Sequence, residues 1–398
     1  FSGDNLDLDE DLRNEILRDI KENLKNIIGK PDGILVCGDI AFSGKSAEYK
    51  AASIFLKNIC EILEIDEDSV FCVPGNHDVD QDVLKNSEGF VDLQTAIEKA
   101  SDLDQKLTKC FRDQTYKSFL FNHIHEYNTF AGNFSCKCKL NIHEKKFNWS
   151  EDFTLNDESI LRIVGLNSII ISSHLDKDER PMVLGQYQIP KREEGVAHVS
   201  LCHHPPECWK DSNTTKNKLN ERVYVQLYGH KHIQKVKKIN NSLVIGSGAA
   251  HPSRSGKEWR PRYNWLSLCV EGVDNERQLK VSVYPRVLDD DNDRFIPDSN
   301  SCNGNNSIDY SLKLEKWESN KMQPTEETNT SKESLIDTAR EEVPQKTIRN
   351  PNRTLVYRFL ELSFIARTRI LSELNLINEE DEGVEHVDLL DKILQEAQ

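Results

Sequence analysis

Apolar residues recur at spacings of three and four in Leu12, Ile16, Leu17, Ile20, Leu24, Ile27 and Ile28. Acids precede this stripe at Asp7, Asp9 and Glu10, and Gly29 follows it, so the segment reads as a capped amphipathic helix. The pattern then changes to a short, wholly apolar run, residues 33 to 37, which suits a buried parallel strand and stops at Gly38-Asp39. A second helix is predicted over residues 47 to 63, and a second apolar run, residues 69 to 73, leads into Pro74-Gly75-Asn76-His77-Asp78. Helix, strand, helix, strand in this order implies right-handed crossovers and a parallel sheet.

Residues 80 to 150 are polar with a helical period from Val91 to Phe130, and read as an inserted helical cap. Strand patterns resume at residues 161–171, 196–202, 223–228, 242–245, 265–270 and 279–284. The last three lie close in sequence, which suggests antiparallel neighbours. From 296 to 348 the chain is dominated by Asn, Ser, Thr, Glu and Lys and reads as a polar linker. A helical period returns after Asn350-Pro351, through Leu355, Val356, Phe359, Leu360, Phe364, Ile370, Leu371 and Leu374 and on to Ile393 and Leu394. So short a segment buries little by itself, so it is expected to pack on the main domain or on a partner.

The expected organisation is therefore a main α/β domain over 1–295, the linker over 296–348 and a helical segment over 349–398. The chain has 398 residues and a formal net charge of −16, so nothing global advertises a nucleic-acid or anionic-membrane surface. No apolar run approaches the roughly 20 residues that a membrane-spanning helix needs. Ten cysteines are scattered, several inside apolar strand patterns, which points to free thiols and a reducing, cytoplasmic location. Cys136-Lys137-Cys138 lacks the spacing of a zinc knuckle. A chain that starts at Phe1 rather than methionine is expected to begin downstream of its native start.

Four apolar runs end in ligand-type side chains: Gly38-Asp39, Gly75-Asn76-His77-Asp78, His203-His204-Pro205-Pro206 and Gly229-His230-Lys231-His232. In open α/β sheets ligands bind at the carboxyl ends of strands, so the fold would converge these residues on one edge. Carboxylate, amide oxygen and imidazole form a borderline set of donors that suits Mn, Fe, Zn or Co. His230 and His232, two apart on a segment read as extended, would project to one side and chelate.

As a set, the four motifs resemble those of the calcineurin-like metallophosphoesterase superfamily, over roughly residues 1 to 290. The resemblance implies an α/β two-sheet sandwich flanked by helices, with two divalent metal ions, Mn foremost. It also implies roles by position: Asp39 bridges both metals, Asn76, His203 and His230 complete one site, and His232 belongs to the other. His77 faces the substrate and stabilises or protonates the leaving oxygen. Two metals about 3.5–4 Å apart clamp phosphoryl oxygens and generate a bridging hydroxide near neutral pH.

The family opens with Asp-x-His, which does not occur before Gly38-Asp39. Phe1-Ser2-Gly3 resembles the residues common after that histidine in the family, so the motif is expected just upstream. Asp4, Asp7 and Asp9 read as helix N-terminal charges rather than substitutes. The run from Gly38 to Gly44 lacks the downstream Asp-Arg-Gly of protein phosphatases and resembles the branch containing cyclic-nucleotide phosphodiesterases and nucleases.

Basic residues Arg254, Lys257, Arg260 and Arg262 interleave with Trp259 and Tyr263, a mix that would hold a phosphate backbone and stack a base. Arg254, Arg260 and His251 are therefore candidate substrate contacts. Asn167-Ser168 ends a strand and would rim the cleft; His204 reads as either an outer support of the site or a surface residue; His123 and His125 read as solvated. Residues 357–363 and 367–377 resemble small helical adaptor modules appended to bacterial effector and defence proteins, which implies a protein partner. The function expected is a metal-dependent nuclease with a partner-docking tail. A phosphodiesterase of cyclic or other small nucleotides and a catalytically weak scaffold are the alternatives.

Overall fold

The computed structural model describes residues 10–317 apart from 86, 135, 137–147, 174–175, 177–180, 251–259 and 290–292. All belong to the first of two compact units, Phe1–Ile336 and Asp337–Gln398. The C-terminal helical segment expected from the sequence lies outside the described residues.

The predicted opening elements are present. A helix runs from Glu10 to Asp19, continues through a π-helical stretch, Ile20–Leu24, and ends in Lys25–Ile28 at Gly29, whose φ is 80°. Strand β1 (Ile34–Val36) lies parallel to β2 (Val70–Cys72), joined through the helix Ser46–Leu63. Among the described residues, five helices lie between Gln81 and Gly132, in the stretch read as an insert. A six-stranded sheet follows, in the order β3 (Trp149–Thr154), β4 (Ile160–Leu166), β5 (Val196–Cys202), β6 (Val225–Tyr228), β8 (Ser242–Ser247), β7 (Gln234–Ile239). A four-stranded antiparallel sheet is built on β10 (Gln278–Asp289), which pairs with β9 (Arg262–Glu271), β11 (Arg294–Pro297) and β12 (Ile308–Lys313).

Side-chain alternation along β5 separates two apolar layers. Ala197, Val199 and Leu201 join the main core with Val70, Val225, Leu243, Val281, Val283 and Leu312, which makes the fold a two-sheet α/β sandwich. Cys202 faces the other way, with Val164, Leu166 and Tyr228, and is covered by Leu93, Ile97, Leu107 and Leu219 of the flanking helices. The insert helices are anchored in these layers: Tyr127 is fully buried and its hydroxyl donates to the Cys72 carbonyl at 3.1 Å.

Three sequence expectations need correction. Residues 242–245 do not neighbour the later strands; β8 pairs parallel with β6 and antiparallel with β7. The missed strand β7, Gln234-Lys-Val-Lys-Lys-Ile239, is an edge strand whose lysines protect an open edge and hide the strand signal. The stretch assigned to a linker from 296 contributes instead the end of β11 and all of β12, with Leu312 opposite Leu279 and Tyr310 opposite Val281. The turn before β12 is tied by buried Asp298, which accepts from the Ser301 hydroxyl at 2.6 Å and pairs with Arg262. Finally, His123 is buried, with its ring 4.9 Å from that of Phe90, whereas His125 is exposed as expected. Of the cysteines, nine described ones are free thiols. No described helix is long and apolar enough to cross a membrane.

His198 sits on β5 beside Arg162 of β4, buried, with its Nε2 lacking a hydrogen-bond partner. Burial, then the Arg162 charge, depresses its pKa to about 4. The unfolded chain therefore binds a proton that the fold refuses between about pH 6.5 and 4, and stability falls as pH drops through that window. The loss attributable to this residue is roughly 3 kcal/mol. Urea denaturation at pH 7 and pH 4.5 is expected to show a smaller acid loss in His198→Gln than in the parent chain; equal losses would discard this account.

Candidate metal centre

Strand register brings the four motif loops to one edge. Val36 lies opposite Cys72, and Leu166, Cys202, Tyr228 and Gly246 line up across β4, β5, β6 and β8. The residues immediately after these positions therefore emerge together. Asn76-His77-Asp78 forms a single 3-10 turn after β2. Asp39, His230 and His232 adopt left-handed backbone, with φ of 54°, 61° and 56°. Such conformations are strained for residues with a Cβ and concentrate at functional sites. His230 and His232 thus occupy a turn before β7 rather than the extended segment expected.

Inside this edge His203 is the hub. Its Nδ1 donates to the Cys37 carbonyl at 2.8 Å, because a carbonyl can only accept. Its Nε2 lies 3.1 Å from Asn76 Oδ1 and 3.3 Å from Asp39 Oδ2. Asn76 Oδ1 is also 3.1 Å from His230 Nδ1. The closeness depends on glycine: a Cβ on Gly75 would stand 2.1 Å from Asp39 Oδ1, and one on Gly38, at φ 90°, 2.6 Å from His203 Nδ1.

The electrostatics follow from burial and this pairing. Burial pushes the Asp39 carboxyl up, but His203 and the His77 backbone N–H outweigh it and hold it below the usual carboxylate range. Burial pulls His203 down, and Asp39 outweighs that and raises it. His230 is depressed to about 4 by burial and by His203, and His232 is lowered chiefly by burial.

His77 is exposed. Its backbone N–H donates to Asp39 Oδ1 at 3.0 Å and its Nδ1 donates to the Phe42 carbonyl at 2.9 Å. That bond fixes the tautomer and leaves Nε2 for another partner.

Further residues support this set from behind. Asp78 Oδ2 accepts from the backbone N–H of Gly75 at 2.8 Å and of Ile40 at 3.2 Å, and Oδ1 accepts from Ala41 N–H at 2.9 Å and the Tyr49 hydroxyl at 3.0 Å. Burial, then the nearby Asp39 charge, pushes Asp78 up to about 6, against the pull of these backbone bonds. Ser168 Oγ is 2.9 Å from His204 Nδ1, which gives both residues a supporting place behind the cluster rather than at a rim. His203, His204 and His230 offer ring nitrogens within 4.8 Å of one another. The only sequence signal for Asp78 was its place at the end of the motif.

Of the expected substrate contacts, His251 and Arg254 lie outside the described residues, as do Lys257 and Trp259. Arg260 is described and half-buried. Two members of that cluster are structural instead. Arg262 pairs with buried Asp298, and the Tyr263 hydroxyl donates to buried Asp19, which also binds Arg286. Each partner lies far away in sequence, and the Tyr263 ring meets those of Trp265 and Phe295 edge to face, at 6.1 and 5.1 Å between centroids.

Asp39 Oδ2, Asn76 Oδ1 and His203 Nε2 are acceptors or potential acceptors drawn to one point, with His230 Nδ1 beside them. The Asp39 charge favours a proton on His203; a divalent ion at this point would take that proton's place. The residues present fit a borderline divalent cation.

Residues 9–234, more than half of the chain, match the family model of the calcineurin-like phosphoesterases. Residues 351–398 match that of the GTPase-associated adaptor domain. No curated protein matches by sequence. Among solved structures, a Vps29 double mutant from Entamoeba histolytica is similar at 11% identity, over 74% of this chain and 88% of that one, with a TM-score of 0.27. A 5′-nucleotidase candidate from Staphylococcus aureus, solved with alpha-ketoglutarate, is similar at 12% identity over 79% of this chain and 50% of that one, with a TM-score of 0.30.

Proposed function

The chain belongs to the calcineurin-like phosphoesterase family, a family of metal-dependent phosphoester hydrolases, and from that premise we propose that it cleaves phosphodiester bonds, with nucleic acid as substrate. The observation that carries this reading is the convergence of Asp39, Asn76, His203 and His230 beside His77, whose Nε2 is uncommitted at an exposed position.

Asp39, Asn76, His203 and His230 would hold one divalent cation; Asp39 and His232 would contribute to a second, and Mn suits both sets. Such cations, when bound, polarise phosphoryl oxygens and make water a nucleophile near neutral pH. The protein's own part is positional. Asp39 presents one carboxylate oxygen to His203 and receives the His77 N–H on the other, so ligand and acid are linked through one side chain. His77, with Nδ1–H anchored on Phe42, would act as the imidazolium, giving the second proton from Nε2 to the leaving oxygen and remaining as the Nδ1–H tautomer. A small nucleotide, cyclic or linear, is the second reading, favoured by the net charge of −16, which opposes an extended polyanion.

Residues 351–398 are proposed to dock the enzyme on a protein partner, on the strength of their match to an adaptor domain. A cytoplasmic site of action accords with the free thiols.

The test is turnover of bis-p-nitrophenyl phosphate against p-nitrophenyl phosphate by the Mn-loaded chain, with His77→Ala alongside. Diester cleavage that exceeds monoester cleavage and falls by about 10²–10⁴ in His77→Ala is expected. Preference for the monoester would reverse the reading; no turnover with no bound metal would leave a scaffold. Single-stranded DNA, RNA and cyclic nucleotides then separate the two substrate classes. Removing residues 349–398 is expected to spare diester turnover and abolish partner binding; lost turnover would deny the segment a docking role.

A further inference from the structure

Phe42 is 66% exposed, an unusual position for a large aromatic ring that buries well elsewhere in this fold. It is not carried on a loose loop. The two residues before it, Ile40 and Ala41, are buried with their N–H groups donated to Asp78. The residue after it, Ser43, donates N–H and hydroxyl to the Glu48 carboxylate at 3.0 and 2.8 Å, and Lys45 N–H donates to the same carboxylate at 2.9 Å. The Phe42 carbonyl receives the His77 Nδ1–H. The backbone is thus fixed on both sides of a side chain left in solvent.

The ring itself stacks on the His77 imidazole, with centroids 5.5 Å apart and planes inclined by 28°. Both rings are exposed, so together they extend a planar face outward from the Asp39 and Asn76 loops. Ile233, which directly follows His232, is a second large apolar residue held in solvent, 64% exposed. Apolar side chains therefore flank the candidate ligand set at two of its loops.

A pre-organised aromatic face beside a phosphate-handling centre matches the needs of a planar group attached to that phosphate. Ring ordering has already been met by the fold, so a stacked base adds contact at little further entropic cost. We propose that Phe42, backed by His77, forms a base-stacking subsite that selects phosphates carrying a nucleobase. This rests on the phosphoesterase reading and narrows its substrates to nucleotides and nucleic acids.

The test measures binding rather than turnover: calorimetric titration of the Mn-loaded full chain with AMP and with ribose 5-phosphate, which share the sugar phosphate and differ in the base. Base–aromatic stacking predicts that AMP binds roughly 5- to 100-fold more tightly. The ratio of the two affinities is expected to fall towards one in Phe42→Leu, which keeps bulk without a π face, and to persist in Phe42→Trp. Equal affinities in the parent chain, or a ratio that survives Phe42→Leu, would overturn the subsite while leaving phosphate binding standing. If neither compound binds, the phosphate-handling reading itself fails and the subsite falls with it.

Discussion

Asp39→Asn is expected to lower metal-dependent diester turnover by at least about 10³, with a parallel loss of bound metal. Asparagine keeps the shape that Gly75 accommodates, a requirement set by the 2.1 Å that would separate a Gly75 Cβ from Asp39 Oδ1. The change removes the charge. Asp39 is the one carboxylate among the four side chains that converge here, the others being the Asn76 amide and the His203 and His230 imidazoles. Losing one well-placed electrostatic group at a reacting centre costs about 10²–10³ by itself. Here the same group would also bind the metal, so the two losses multiply. The substitution has a second consequence: the side chain touches His203 through Oδ2 and the His77 N–H through Oδ1, so an amide nitrogen at either position meets a donor or loses an acceptor. Elemental analysis beside turnover separates the causes. Metal retained with turnover lost would place the effect on His77 alignment; both retained would refute the ligand assignment.

The strand-end motifs could be read from sequence because each couples a local signal, an apolar run, with a side chain immediately after it. β2 and β5 illustrate this: Val70–Cys72 and Val196–Cys202 lie where the apolar runs placed them, with His203 directly after β5 and Asn76 after Val73-Pro74-Gly75. Where a strand lacks that local signal the reading failed. β7 is lysine-rich because it is an edge, and β12 is a period-two run, Ile308, Tyr310, Leu312, set in asparagine and serine. Its strand character comes from pairing with β10 and not from its surroundings. Within the basic and aromatic cluster, Arg262 and Tyr263 depart from the sequence reading for a related reason. Neighbours in sequence suggested a shared surface, yet Tyr263 is held by Asp19 and Arg262 by Asp298, contacts that no local window contains. His123 has the helical spacing of a solvated face, yet Phe90 from another helix covers it. Supporting residues of the site are the hardest case: Tyr49 becomes recognisable only once the loops it touches are folded together, and Ser168, read as a rim, lies behind His204.

Asp78→Ala is expected to be the most destabilising single substitution near the site, by roughly 3–5 kcal/mol, and to weaken Mn binding by about 10- to 100-fold. The carboxylate is 1% exposed and accepts three backbone N–H groups drawn from two loops, those of Asp39 and Asn76, besides the Tyr49 hydroxyl. Alanine leaves the three backbone N–H donors facing a small void, while the Tyr49 hydroxyl keeps the residue-78 carbonyl as an acceptor at 3.2 Å; a buried donor without a partner costs about 1–3 kcal/mol, reduced where water enters. Part of the loss is offset, because burial and the Asp39 charge already raise the carboxyl to about 6 and make its ionised form expensive. Asp78→Asn tests that balance. It removes the charge but turns an NH₂ group towards backbone donors, since both carboxylate oxygens accept N–H, so it is expected to fall between the parent chain and Asp78→Ala. Tyr49→Phe deletes one of the four bonds and is expected to lose about 1–2 kcal/mol. Urea denaturation without added metal isolates the folding contribution, and Mn titration of the folded variants isolates the loop contribution. Lower stability with unchanged Mn affinity would make Asp78 a part of the fold alone. Loss of both, graded from Tyr49→Phe through Asp78→Asn to Asp78→Ala, is the result expected if one buried carboxylate holds the two ligand loops at their working distance.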